Sequence, residues 1–409
     1  MRYSSIAIIL LALTDYVKCN PIVHQIPLNV HEVSPDGGGN LSIQLFAELE
    51  ELSRIVDISY CVGMTGISKP FQCASRCDDF PEFELVDTFN TGPLMSDSCG
   101  YIALDHSTKH HRNGRIIIAF RGTYSIANTI VDLSTVPQEY VPYPGSPEND
   151  TAIATQKPKR KCDNCTVHSG FWSSWQNTRP LLLPHIEAVR AQYPGYQLHL
   201  VGHSLGGAVS ALAALELDSM GFSPVVTTFG EPRVGNSGLR DWVDWTFSLP
   251  SEHTKNGKGE PYAGRYRRIT HVDDPVPLLP LQEWGYRAHA GEMYISKPSL
   301  QPSISDVHLC FGDEDVECLA GATTDESWFN AMSSIEEVID DDNGDEKKIG
   351  IPWVLPIPAR YEIWQLFFAH RDYFWRLGLC IPGGDPFDWD RDKYRFGHDE
   401  EGLSAKVDL

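Results

Sequence analysis

"VGHSLGGAVSALAAL", residues 201–215, sets a serine between two glycines and follows it with a row of small residues. The approach "YQLHLV" (196–201) alternates as a strand does, and Ala208–Leu217 is rich in helix formers. Ser204 stands at the junction, with Gly202 two positions before it and Gly206 two after. That is the spacing of a tight strand-to-helix turn that lifts a hydroxyl out of the fold as a nucleophile. A side chain at either glycine would strike the neighbouring strand or helix. The helix N-terminus then lies beneath the serine, where its dipole and free N–H groups favour developing negative charge. The plainer reading is a glycine-rich turn that merely links two elements; the strand before it and the helix after it favour the nucleophile.

The bulk composition bounds what such a serine could serve. A chain of 409 residues suits a single α/β domain with insertions, and 42% apolar and 11% aromatic residues supply a large core. A formal net charge of −22 argues against nucleic acid and anionic membrane surfaces as partners, and is silent on neutral lipid. No internal repeat is visible, and no segment after residue 20 is long and apolar enough to be an integral membrane span. Residues 1–19 read as a secretory signal: Arg2, then the short apolar run Ile6–Leu13, with cleavage after Thr14 or Cys19. Residues 20–44 are expected to be an N-terminal extension or propeptide. The ten cysteines agree with secretion, since several fall in close pairs: Cys73/Cys77, Cys162/Cys165 and Cys310/Cys318. The C-x-x-C at 162–165 could be half a zinc site, but no second half has suitable spacing, so no metal is expected. Asn40, Asn149 and Asn164 begin glycosylation sequons.

A serine hydroxyl becomes a nucleophile when a histidine takes its proton and a carboxylate holds that histidine in the right tautomer. In α/β hydrolases the acid and then the base follow the serine along the chain. That order excludes His203, whose side chain should also point away from the adjacent Oγ. "RYRRITHVDDPVPLLP" (265–280) reads as a strand, Tyr266–His271, ending in a rigid proline-punctuated loop. Asp273 and Asp274 both qualify there by type, and either could instead be a turn former. The acidic run 335–346 reads as a solvated loop. Among the later histidines, His289 leads into another strand and suits a hydrogen-bonded core position. His308 sits beside Cys310 in a crosslinked loop, and His398 lies in a polar tail. His370, in the aromatic stretch "EIWQLFFAHRDYFW" (362–375), is the first choice, because a packed helix there could fix an imidazole.

Five ordered motifs then carry a resemblance: "AFRGT" (119–123), "VGHSLGGA" (201–208), "GEPRVGN" (230–236), "DPVP" (274–277) and "AHRDYF" (369–374), with "HSGF" (168–171) beside them. Together they resemble the fungal class 3 triacylglycerol lipases, particularly the secreted yeast branch, over roughly Leu45–Cys380. The resemblance implies an α/β-hydrolase fold, with a mostly parallel central sheet flanked by helices and a helical lid. It implies Ser204 as nucleophile, His370 as base and Asp274, rather than Asp273, as acid. The backbone N–H groups of Thr123 and Leu205 would form the oxyanion hole, with the Thr123 hydroxyl assisting. It also pairs Cys61 with Cys380, Cys73 with Cys77, Cys162 with Cys165 and Cys310 with Cys318, leaving Cys99 either free or joined to Cys19.

By the same resemblance residues 123–137 are a lid, within which Ile126, Ile130 and Leu133 fall at helical spacing as an apolar stripe. That stripe points to long acyl chains. The body would span residues 45–380, interrupted by an acidic insertion at about 320–358 and followed by an acidic, aromatic tail, 381–409. The expectation is a secreted, cofactor-free, monomeric serine hydrolase acting on acylglycerols at an oil–water interface, a triacylglycerol lipase. A feruloyl-type carbohydrate esterase or a phospholipase on the same scaffold is the rival enzyme. A catalytically silent hydrolase fold used for binding is the rival from another class.

Overall fold

A computed structural model describes residues 41–92, 97–107, 113–123, 133, 140–142, 162–249, 264–319, 339–340, 346–347 and 369–381. The signal segment 1–19, the extension up to residue 40, His398 and the tail beyond residue 381 lie outside the described residues. So do Asn40, Asn149, the lid apart from Thr123 and Leu133, and the insertion apart from one short antiparallel pair, Ile339–Asp340 with Glu346–Lys347.

Eight strands make the central sheet: β1 Phe83–Asn90, β2 Cys99–Asp105, β3 Arg115–Arg121, β4 Gln197–His203, β5 Val225–Phe229, β6 Tyr266–His271, β7 Glu292–Ile295 and β8 Val307–Leu309. Their order across the sheet is their order along the chain. From β3 to β7 all neighbours run parallel, while β1, β2 and β8 join antiparallel at the two sides. Parallel strands are covered on both faces and read as unbroken apolar runs. "RIIIAFR", β3, is buried at all seven positions.

The period of two divides that strand between two cores. Ile116, Ile118 and Phe120 face helices α2 (Ser169–Gln192), α3 (Leu205–Ser219) and α4 (Ser237–Phe247). Ile117 and Ala119 face helix α1 (Ile43–Ile58) and the segment Tyr373–Leu377. Helix α1 starts at Ser42, whose hydroxyl accepts from the Leu45 N–H at 3.1 Å. Helix α3 buries twelve of its fifteen residues, and its glycines and alanines let it lie close on the sheet. Leu133, from the expected lid stripe, is fully buried in the first core. Among the described residues no helix is long and apolar enough to cross a membrane.

Disulfides join Cys61 to Cys380, Cys73 to Cys77, Cys162 to Cys165 and Cys310 to Cys318. The C-x-x-C pair is therefore closed on itself. Cys99 carries a free, buried thiol that donates to Asn90 Oδ1 at 2.9 Å.

Candidate active site

Strand β4 turns directly into helix α3 at Ser204, whose backbone sits at φ 57°, ψ −129°, a conformation an L-residue holds only when its surroundings fix it. The bare flanks allow it. A Cβ on Gly202 would stand 2.5 Å from Ser210 Oγ, and one on Gly206 would stand 2.7 Å from the Arg121 carbonyl oxygen. The Ser204 N–H donates to the Phe229 carbonyl at 2.9 Å, which ties the elbow to the end of β5. Its Oγ is buried and has no hydrogen-bond partner among the described residues.

The loop after β6 separates the two adjacent aspartates. Asp273 takes a left-handed turn, φ 66°, with its side chain exposed, while Asp274 is 1% exposed. The Asp274 carboxylate accepts from His370 Nδ1 at 2.9 Å, from the Tyr373 hydroxyl at 2.5 Å and from the Val276 N–H at 2.9 Å. Burial pushes this carboxyl up, but the His370 charge and those three donors outweigh it and hold it below the ordinary carboxylate value. His370 is fully buried, and its Nε2 has no partner among the described residues. It lies in the turn after Ala369 and not within a helix, as far as the described residues run. Tyr373, three residues on, completes its support.

Gly230 brings acid and base to the elbow. It follows Phe229, which holds the Ser204 N–H, and has φ 60°. A Cβ there would stand 2.8 Å from His370 Cε1, 3.0 Å from Asp274 Oδ2 and 2.7 Å from the Tyr373 oxygen. On the other side, Gly122 at the end of β3 is equally close, since a Cβ on it would stand 2.8 Å from Ser204 Cβ. Thr123 follows Gly122, and Leu205 opens helix α3. The two expected oxyanion donors thus flank the serine from a strand end and a helix N-terminus.

The remaining histidines go elsewhere. His308 on β8 bonds Ser296 Oγ at 2.9 Å. His289 is buried with Nδ1 facing the Ala290 carbonyl at 2.7 Å and Nε2 facing Glu231 Oε1 at 3.1 Å. Both ring nitrogens thus lie against oxygen atoms inside the fold. Glu231 also accepts from Thr228 Oγ1 at 2.6 Å and the Tyr266 hydroxyl at 2.7 Å. Burial raises its carboxyl, yet His289 and these donors bring it below its ordinary value of 4.5. A depressed folded-state value contributes stability above the unfolded-state value, lost as pH falls through the folded one. Glu231→Gln should therefore cost about 3 kcal/mol at pH 7 by removing the buried carboxylate that His289, Thr228 and Tyr266 face. The gap to the parent protein should narrow below about pH 4.5, as denaturant titrations at pH 7 and pH 4 would record. A gap of unchanged size at both pH values would refute the contribution of the Glu231 carboxylate.

Sequence reasoning gave no role to Tyr373 or to Arg233. The Arg233 N–H donates to the Leu279 carbonyl at 2.7 Å, and its guanidinium bonds the carbonyls of Leu278 and, at 3.0 Å, Pro280. The "GEPRVGN" segment thereby fastens the loop that bears Asp274. Both residues stood inside quoted motifs, which was the available signal.

An unpartnered serine on a strained elbow, beside an imidazole backed by a carboxylate, defines a serine hydrolase on the α/β-hydrolase fold. A family model for Lipase (class 3) matches residues 117–284. The chain is 53% identical over 389 residues to secreted mono- and diacylglycerol lipase 2 of Gibberella zeae, covering 90% of each. It is 52% identical over 372 residues to Lipase A of Sodiomyces alcalophilus, covering 86% of each. The crystal structure of Lip2 lipase from Yarrowia lipolytica matches with a TM-score of 0.62 at 30% identity, covering 85% of this chain and 99% of that one. The chain belongs to the class 3 lipases.

Proposed function

We propose that Ser204, His370 and Asp274 are the catalytic triad of a secreted lipase that hydrolyses acylglycerol esters through an acyl-enzyme. His370 Nε2 takes the Ser204 proton as Oγ attacks the ester carbonyl. The N–H groups of Thr123 and Leu205 stabilise the oxyanion. His370 then protonates the departing alcohol, and water, activated by the same imidazole, releases the fatty acid. The observation that carries this reading is two buried atoms without partners among the described residues, Ser204 Oγ and His370 Nε2, with Gly230 close against His370 and next in sequence to Phe229, whose carbonyl holds the Ser204 N–H. Secretion is supported by the name of the Gibberella zeae relative.

Ser204 and His370 are both fully buried, so an ester reaches them after a cover has moved. An oil–water interface, which accepts exposed apolar surface, favours that opening. The same relative, named as a mono- and diacylglycerol lipase, favours mono- and diacylglycerols over triacylglycerols as substrates of this chain. Initial rates on emulsified mono-, di- and triacylglycerols, a phospholipid and a feruloyl ester, with Ser204→Ala as the blank, test both statements. Acylglycerols should be the best substrates, partial glycerides first, and Ser204→Ala should be inert. A faster feruloyl ester or phospholipid, or an active Ser204→Ala, would overturn the reading.

A further inference from the structure

His203 precedes the nucleophile and, by chain order, is not its base, yet it is completely buried and bonded at both ring nitrogens. Its Nε2 lies 2.8 Å from the carbonyl oxygen of His370, and its Nδ1 meets the hydroxyl of Tyr60. Tyr60 stands in the turn Ser59–Cys61 that follows α1. The same hydroxyl lies 3.1 Å from the N–H of Gly122. The His203 and His370 rings stack, with centroids 4.7 Å apart and planes 29° from parallel.

Every proton in this row has one possible place. A carbonyl only accepts, so His203 Nε2 carries a hydrogen and donates it to His370. An amide only donates, so the Tyr60 oxygen accepts from Gly122; with a neutral imidazole, whose one hydrogen is on Nε2, the Tyr60 O–H goes to the Nδ1 lone pair. The imidazole is neutral. Burial, and then the neighbouring His370, push His203 down to about 3, so it stays neutral at working pH. The groups facing it are Tyr60 from the turn after α1, Asp274 from the loop after β6, and His370, Arg371 and Tyr373 from the C-terminal segment. Burial raises the Tyr60 hydroxyl, which therefore keeps its proton.

We propose that His203 is a positioning residue: through Tyr60 and Gly122 at one end and the His370 main chain at the other, it holds the oxyanion strand end and the base in register about Ser204. The inference rests on the triad reading above. This row is a polar tie between the end of β3 and the His370 turn, which are separated by some 250 residues of chain. A displacement of about 1 Å in such a site costs on the order of a hundredfold in rate.

The test is steady-state kinetics on a soluble short-chain ester, with active sites counted by a serine-directed phosphonate. His203→Phe keeps a flat ring and loses both bonds. Its kcat per titrated site should fall roughly ten- to a hundredfold with KM within about twofold. His203→Gln, which has a donor and an acceptor and can reach the His370 carbonyl, should recover most of the loss. Tyr60→Phe, a milder change should His203→Phe fail to fold, should lower kcat roughly three- to tenfold. The acid limb of kcat/KM should stay in place in all three, since His203 does not titrate there. Unchanged kcat per site in His203→Phe and Tyr60→Phe would reduce His203 to a core filler. A shifted acid limb, or a Gln variant as slow as the Phe variant, would overturn the assignment as well. Failure of the triad reading looks different: the parent protein itself would not be labelled at Ser204.

Discussion

Asp274→Asn is expected to lower kcat about ten-thousandfold while leaving KM within a factor of about two. The physical reason is the direction of one hydrogen bond. Asp274 accepts from His370 Nδ1 and so leaves Nε2 with the lone pair that must take the Ser204 proton. The carboxylate takes its donors on different oxygens, the Val276 N–H on Oδ1 and the Tyr373 hydroxyl on Oδ2, with His370 Nδ1 2.9 Å from both; an amide that keeps its oxygen for the Val276 N–H turns its NH₂ toward Tyr373 and His370. Its NH₂ then points at Nδ1, forcing the hydrogen to Nε2, where it faces Ser204 as a donor. The base is present but in the wrong tautomer. Asp273→Asn is the matched control: that exposed side chain turns away, and its kcat should stay within about twofold. Hydrolysis of a dispersed short-chain ester by purified proteins measures both. An Asp274→Asn enzyme within tenfold of the parent would refute the acid assignment.

Removing the Cys61–Cys380 disulfide by a double change to alanine is expected to cost about 5 kcal/mol of unfolding free energy. Its two cysteines are 319 positions apart, so the crosslink removes a large share of the unfolded chain's freedom. The native seat has other fastenings. Asp57 accepts from the Gly378 N–H at 2.8 Å, Glu50 accepts from Trp375 Nε1 at 2.5 Å, and the Phe46 and Phe374 rings meet edge to face at 5.2 Å. At 25 °C the variant should therefore retain kcat within about threefold while its denaturation midpoint falls. A stability loss under about 1 kcal/mol would show that loop closure is not what the bond contributes. Normal stability with lost activity would show that it acts on the native site.

Much of the site was legible because its signals are local. The Ser204 elbow needs bare neighbours at 202 and 206, and strand Tyr266–His271 was read with the bounds the structure gives it. The choice between Asp273 and Asp274 was not local. It depends on one left-handed residue that turns the first carboxyl to solvent, and residue type alone left both open until the family resemblance favoured one. His370 was chosen for an apolar setting in which a helix would hold it. The structure gives Ala369 helical backbone directly before it, and adds the Asp274 carboxylate and the carbonyl bond to His203; residues 361–368 lie outside the described residues. His203 was set aside by chain order, and Tyr60, 143 positions earlier, carried no sign of meeting it. Sequence gives the kind of side chain; which distant chain segment its polar end will face is decided by packing.

The seat of the segment after His370 against the first helix has a bearing on biosynthesis. Ser204, Leu205, Thr123 and Asp274 are all in place by residue 274, but the imidazole arrives almost a hundred residues later and docks beside a turn made near the start. On the proposed triad, a polypeptide terminated anywhere in that interval keeps its alcohol, its oxyanion donors and its carboxylate, and lacks the imidazole that would take the serine proton. Hydrolytic competence thus switches on only once translation has passed residue 370 and the late segment has returned to the early one, so specific activity doubles as an assay of chain integrity.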